Sequence, residues 1–230
     1  MPVQCIFSRF RNRKPGWGGA AGIWAGVFLL LMVATQAQGY VMPAEQILEF
    51  MAKNFSGFKT VVTEQDVRWG GEENMSLQPL RREKVWMKSP DQWHEETLEG
   101  SDTGGEDLDH QYRLLMLAST KERLMRVLSD MGIDLERVAL TRIEGTIVYR
   151  IGDADPRSPK ILIEKERFLP VLLVYGTWGG GEEGRISVGF KDYRKLETGW
   201  YPFEIAYAQG TGFQQVFSIT TLSLKSGSSL

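Results

Sequence analysis

The feature that most limits how this chain can fold is a two-residue alternation of apolar and polar side chains. Ile186, Val188 and Phe190 point one way while Arg185, Ser187 and Lys191 point the other; Phe203, Ile205 and Tyr207 repeat the pattern, and so do Ile147, Tyr149 and Ile151. That period belongs to strands with one buried and one wet face, the usual arrangement in antiparallel sheets. Strands are expected at 59–69, 82–88, 92–98, 137–143, 146–151, 160–164, 169–175, 185–192, 201–208 and 213–224, with turn residues between them.

Only two segments switch to the helical period. Pro43 fits a first-turn position, after which Ile47, Leu48, Met51 and Phe55 recur at helical spacing, predicting a helix over 43–54 that stops before Ser56-Gly57. Farther on, Ser119 as N-cap and Glu122 three residues later form a capping box. Leu124, Val127, Leu128 and Met131 line one face of this second helix, and Gly132 closes it. The fold class is mainly β (α+β). Two short helices cannot cover the apolar surface of so many strands by simple packing, and a long twisted sheet curls. Two arrangements follow: a strongly curved antiparallel sheet forming an open half-barrel with a small helical lid, or a fully packed sandwich or barrel with no cavity.

The amino-terminal segment has a different composition. Arg9, Arg11, Arg13 and Lys14 precede an unbroken apolar run from Ala20 to Ala34, followed by small residues through Ala37 and Gly39. This order is that of a cleaved secretory signal peptide, residues 1–37, with 38–230 as one exported domain. The alternative is a retained anchor, since Trp17 to Ala37 is just long enough to span a bilayer of about 30 Å. The formal net charge is −2, and these first residues hold four cations and no acid, so the remainder is more acidic still. An acidic body argues against nucleic acid as a partner. The lone cysteine, Cys5, lies ahead of the apolar run, which excludes disulfides, cysteine–zinc sites and thiol nucleophiles from residues 38–230.

The remaining candidates for chemistry are weak, and the sequence predicts no enzyme, cofactor or metal. His94-Glu95-Glu96-Thr97-Leu98 begins like a zinc-protease motif, but Leu98 stands where the second histidine belongs, and the segment reads as a surface strand. Gly179 to Gly184 matches a dinucleotide-binding glycine pattern but precedes a strand, with Glu182 and Glu183 where a pyrophosphate would lie, so it reads as a hairpin loop. The acidic stretch with Glu99, Asp102, Glu106, Asp107 and Asp109 lacks the alternating ligand spacing of a calcium loop. Neither His94 nor His110 has a catalytic partner identifiable from sequence.

Three segments carry a family resemblance. Val85-Trp-Met-Lys88-Ser89-Pro90-Asp-Gln-Trp93 resembles the turn between two early strands of LolA-like periplasmic lipoprotein carriers. Ile161-Leu-Ile-Glu164-Lys-Glu-Arg-Phe-Leu-Pro170-Val-Leu-Leu173 is similar to the family's strand, charged turn and Leu-Pro-led return strand. Trp200-Tyr-Pro202-Phe-Glu-Ile205 resembles a strand of the broader outer-membrane lipoprotein-sorting group. The resemblance implies the curved open sheet with a helical lid. It also implies a monomeric periplasmic carrier or chaperone that shields lipoprotein or other lipid acyl chains, taking them from an inner-membrane donor towards an outer-membrane acceptor. The carriers generally place an arginine immediately before the turn proline. Here Ser89 stands there with Lys88 beside it, so the contact between the Lys88-Ser89-Pro90 turn and the lid is expected to differ.

On this reading the inner face carries Val61, Val67, Met87, Ile147, Tyr149 and Ile163, continued by Val188, Phe190, Ile205, Tyr207 and Ile219. Its walls are expected to be nearly free of charge, and Leu124, Val127, Leu128 and Met131 would close it. A lipid-sensing regulator using the same cavity is the alternative, and it would be expected to add a further domain or an anchor for signalling.

Overall fold

Pro43, extended at φ −65° and ψ 153°, starts the first helix, and its carbonyl accepts hydrogen bonds from the amides of Gln46 and Ile47. In the computed structural model, residues 41–70, 80–100, 109–176, 184–210 and 213–224 are described. The proposed signal peptide with Cys5, residues 101–108 of the acidic loop and residues 179–183 of the glycine loop lie outside the described residues.

Helix α1 (Ala44–Phe55) buries Ile47, Leu48, Met51 and Phe55, the stripe its spacing predicts. Three strands follow: β1 (Thr60–Gly70), β2 (Arg81–Lys88) and β3 (Gln92–Gly100). After two further helices, α2 (Arg113–Leu117) and α3 (Lys121–Asp130), come β4 (Val138–Ile143), β5 (Thr146–Gly152), β6 (Lys160–Glu164) and β7 (Pro170–Gly176). The chain then forms β8 (Arg185–Leu196), β9 (Gly199–Gln209) and β10 (Phe213–Leu224). Every expected strand is present. The β8–β9 hairpin is longer than predicted because its ladder continues through the charged run after Phe190, pairing Tyr193 with Pro202 and Leu196 with Gly199. Charged outer positions there hid a backbone pairing that does not depend on hydrophobicity.

Two details of the helices correct the sequence reading. Thr120, not Ser119, is the N-cap of α3, its hydroxyl accepting the Arg123 amide at 3.3 Å. The third helical position is therefore Arg123, and Glu122 completes no capping box. Helix α2 was not anticipated at all: its Leu-Leu-Met-Leu run is too short and too uniformly apolar to show a period. The end of α3 is as read, because Gly132 takes φ 79° and the amides of Gly132 and Ile133 bond the carbonyls of Ser129 and Leu128 in a Schellman motif.

The ten strands form one antiparallel sheet in the order β3-β2-β1-β10-β9-β8-β7-β6-β5-β4. The first and last strands pair in its middle, so β3 and β4, successive along the chain, stand at opposite open edges. The link between them must cross a face of the sheet, and α2 and α3 lie in that link. This topology brings helices onto the concave side. The result is an open, strongly curved half-barrel with a small helical lid, the first of the two arrangements the alternation allowed.

Contacts at the carboxyl end of α1 seat the lid against the sheet. Asn54 Nδ2 donates to the carbonyls of Arg167 (2.8 Å) and Phe168 (3.3 Å). Phe168 in turn lies 4.7 Å from Phe50 and stacks on Tyr149 at 6.0 Å. On the other side the β8–β9 turn comes so close that a Cβ on Gly199 would stand 2.1 Å from the Asn54 carbonyl oxygen. Only glycine fits there.

Candidate functional site

Most of the residues assigned to the inner face come together. Val61, Val67, Met87, Tyr149, Ile163, Val188, Phe190, Ile205, Tyr207 and Ile219 all belong to one apolar cluster, along with Leu124, Val127, Leu128 and Met131 of the lid. Ile147 does not join it. It is 39% exposed at the start of β5, next to the open edge; Leu140 on β4 is similarly exposed at 42%. The helical stripes fill the concavity: Leu48, Phe55, Leu117, Leu124 and Leu128 are wholly buried opposite Val61, Val188 and Tyr207. The inner face is thus closed by the lid. A cavity of about 180 Å³ at the β1–β3 end is lined by Asp66, Leu80, Arg81, Arg82, Glu99 and Gly100, four of the six charged.

The expectation of nearly charge-free walls is wrong. On β1 the inward register from Val61 runs through Thr63 and Gln65 to Val67; on β2 it runs from Met87 through Val85 and Glu83 to Arg81. Gln65, Glu83 and Arg81 are therefore buried on the inner face. Glu83 accepts Gln65 Nε2 at 2.6 Å and the Arg81 guanidinium at 2.7 Å, and these partners offset the cost of burying its charge. Strict alternation already marked these positions as inward, but their polarity kept them off the list of lining residues.

A second polar group joins the lid to the edge strand. Arg113, on α2 and only 3% exposed, donates through Nη2 to Glu95 on β3 at 3.0 Å, and His110 Nε2 lies 3.2 Å from the other carboxylate oxygen. Burial opposes ionisation of Glu95, but the His110 hydrogen bond and the charge and hydrogen bond of Arg113 outweigh it and hold the carboxyl well below the usual range. Burial likewise opposes charge on Arg113, and its neighbours reverse that penalty, raising its value further. Sequence offered no sign of this triad. Its members come from an edge strand, the loop entering α2 and the first residue of α2, and only the fold brings them together.

The turn singled out by the family resemblance does meet the lid. Ser89 Oγ donates to the Leu117 carbonyl at the end of α2 (3.3 Å), and Arg123 at the start of α3 donates to the Pro90 carbonyl at 2.6 Å, with Asp91 3.6 Å away. Lys88 itself points to solvent. The cation at this junction therefore comes from the helix rather than from the turn. Among the described residues, no three His, Cys, Asp or Glu side chains gather as metal ligands. His94, from the protease-like stretch, stacks on Trp86 at 5.5 Å on the outer side of the sheet.

No protein-family model matches the sequence, and no curated protein does. Solved structures do match. A LolA superfamily protein from Nitrosomonas europaea superposes with a TM-score of 0.53 at 11% identity, covering 82% of this chain and 96% of its own. A DUF1329 family protein from Desulfovibrio piger gives 0.51 at 9% identity, with the same coverage. These superpositions show that the chain has a LolA-like fold.

Proposed function

We propose that this protein is an exported carrier or chaperone that shields the acyl chains of lipoproteins, or of another lipid, on the inner face of the half-barrel. It would take them from an inner-membrane donor towards an outer-membrane acceptor. The observation that carries this reading is the manner in which the apolar face is covered. Among the described residues no second sheet lies over it. Three short helices do, and the polar contacts described between them and their surroundings come from a few side chains: Arg123 to Pro90 and Asp91, Ser89 to Leu117, Asn54 to Arg167 and Phe168, and Arg113 to Glu95. A cover of this kind can move aside and leave Val61, Val188, Ile205 and Tyr207 as an acyl-chain surface while the sheet keeps its ladder. The basic, apolar and small-residue order of the first 37 residues supports export, and the LolA-like fold supports the ligand class.

The test is a titration of the mature protein with fatty acids of increasing length, followed by tryptophan fluorescence. Burial is worth about 0.8 kcal/mol per methylene, so affinity should rise several-fold for each carbon until the face is filled, and should change little with salt. A flat response to length, or loss of binding at moderate salt, refutes the proposal and leaves the apolar face as ordinary core.

A further inference from the structure

Gln215, near the start of β10, is fully buried on the inner face of the sheet. The backbone register places Trp69 of β1 on one side of it and Tyr207 of β9 on the other, and Phe217 follows on the same face. Among the described residues neither its Nε2 nor its Oε1 has a hydrogen-bond partner. His110 lies over the same two rings, its own ring centroid 6.5 Å from both Tyr207 and Phe217. Its Nε2 is held by Glu95, while its Nδ1 is buried with no partner among the described residues. Unmatched polar atoms are rare in native interiors. Two of them on the wholly buried Gln215, with His110 Nδ1 near the same rings and Arg113 Nη1 beside Glu95, mark a place shaped for a polar group that arrives with a ligand.

The chemistry of that group can be narrowed. The nearby charges are already matched, Glu95 by Arg113 and Glu83 by Arg81, so nothing here calls for an ion, and an extra buried charge would be costly. Gln215 offers a donor and an acceptor. A secondary amide matches Gln215 in both directions, its carbonyl accepting from Nε2 and its N–H donating to Oε1; an ester can accept from Nε2 but leaves Oε1 unmatched. The surrounding Tyr207, Phe217 and Val188 would hold an apolar chain attached to it. We infer that Gln215 binds the secondary amide at the head of an N-acylated ligand, so that the protein selects amide-linked over ester-linked acyl chains. This inference rests on the acyl-carrier reading above.

The experiment compares N-methyl dodecanamide with methyl dodecanoate, equal in length and both neutral, as competitors for a fluorescent fatty acid on the full mature chain and on Gln215→Met. The one hydrogen bond that the amide makes and the ester cannot corresponds to a preference of about tenfold for the amide in the natural protein. In Gln215→Met the preference should fall to about twofold or less. Replacing an unmatched buried amide by an apolar side chain of similar size should not unfold the protein, and if it does the comparison in the natural protein still decides. Equal binding of the two ligands, as expected if the site merely holds water, overturns the inference while leaving the carrier reading intact. A preference that survives in Gln215→Met also overturns it. Binding of neither ligand defeats the carrier reading and this one with it. An N-dodecanoyl dipeptide that binds at least as well as the methylamide assigns the site to acylated polypeptides, and weaker binding of the dipeptide assigns it to amide lipids.

Discussion

Removing the Glu95 carboxylate tests whether the lid is tied to the edge of the sheet by a buried charge. Arg113 is 3% exposed, whereas the Glu95 side chain is 33% exposed. In Glu95→Ala the guanidinium stays buried without its counter-charge, and breaking a buried pair in this way costs about 3–5 kcal/mol. In Arg113→Met the remaining carboxylate can still reach water, and the new side chain packs among apolar neighbours, so the loss should be smaller, about 1–2 kcal/mol. The double variant, with neither charge, should recover much of the loss, giving a coupling of at least about 2 kcal/mol in a double-mutant cycle. For a domain of this size Glu95→Ala should lower Tm by roughly 6–20 °C. Urea unfolding followed by circular dichroism measures all four proteins. A Glu95→Ala loss below about 1 kcal/mol, or a coupling near zero, would show that the pair does not hold the lid and that the argument from burial is wrong.

Three further outcomes are expected. Because His110 and Arg113 depress Glu95 in the folded state despite its burial, the unfolded chain holds more protons at acid pH, and the stabilisation is present above the ordinary carboxylate value of about 4.3 and is lost as pH falls below it. The stability difference between the natural protein and Glu95→Gln should therefore shrink between pH 5 and pH 3 in urea midpoints, and a constant difference would count against the triad. Arg123→Ala removes the contact to Pro90 from a partly exposed side chain, so it should cost less than about 1 kcal/mol while speeding uptake of a fluorescent fatty acid in stopped flow; unchanged uptake would mean that this contact does not restrain the lid. Gly199→Ala places a methyl group against the Asn54 carbonyl at 2.1 Å and should destabilise by about 2 kcal/mol or more, whereas a neutral result in thermal melts would show that the β8–β9 turn moves away at little cost.

The strands were legible because each reports a local pattern. Alternation in Ile186-Ser-Val188-Gly-Phe190 or Phe203-Glu-Ile205-Ala-Tyr207 depends only on which face of that strand is buried, and the same holds for the helical stripe from Ile47 to Phe55 and for Gly132 after α3. Most of the inner-face residues follow from the same information, Ile147 being the exception, because its exposure follows from the place of β5 beside the edge strand β4 and not from its own alternation. Helix α2 escaped for want of a period, and the N-cap of α3 was misplaced by one residue because Ser119 and Thr120 are equally good caps and only backbone geometry chooses between them. What tertiary structure alone decided is the pairing of β1 with β10. That long-range contact sends the β3–β4 link across the sheet and so makes a lid of α2 and α3. It also brings His110 and Arg113 to Glu95, and Trp69 to Gln215, residues far apart in the chain whose charges and hydrogen-bonding groups leave no mark on local hydrophobic pattern.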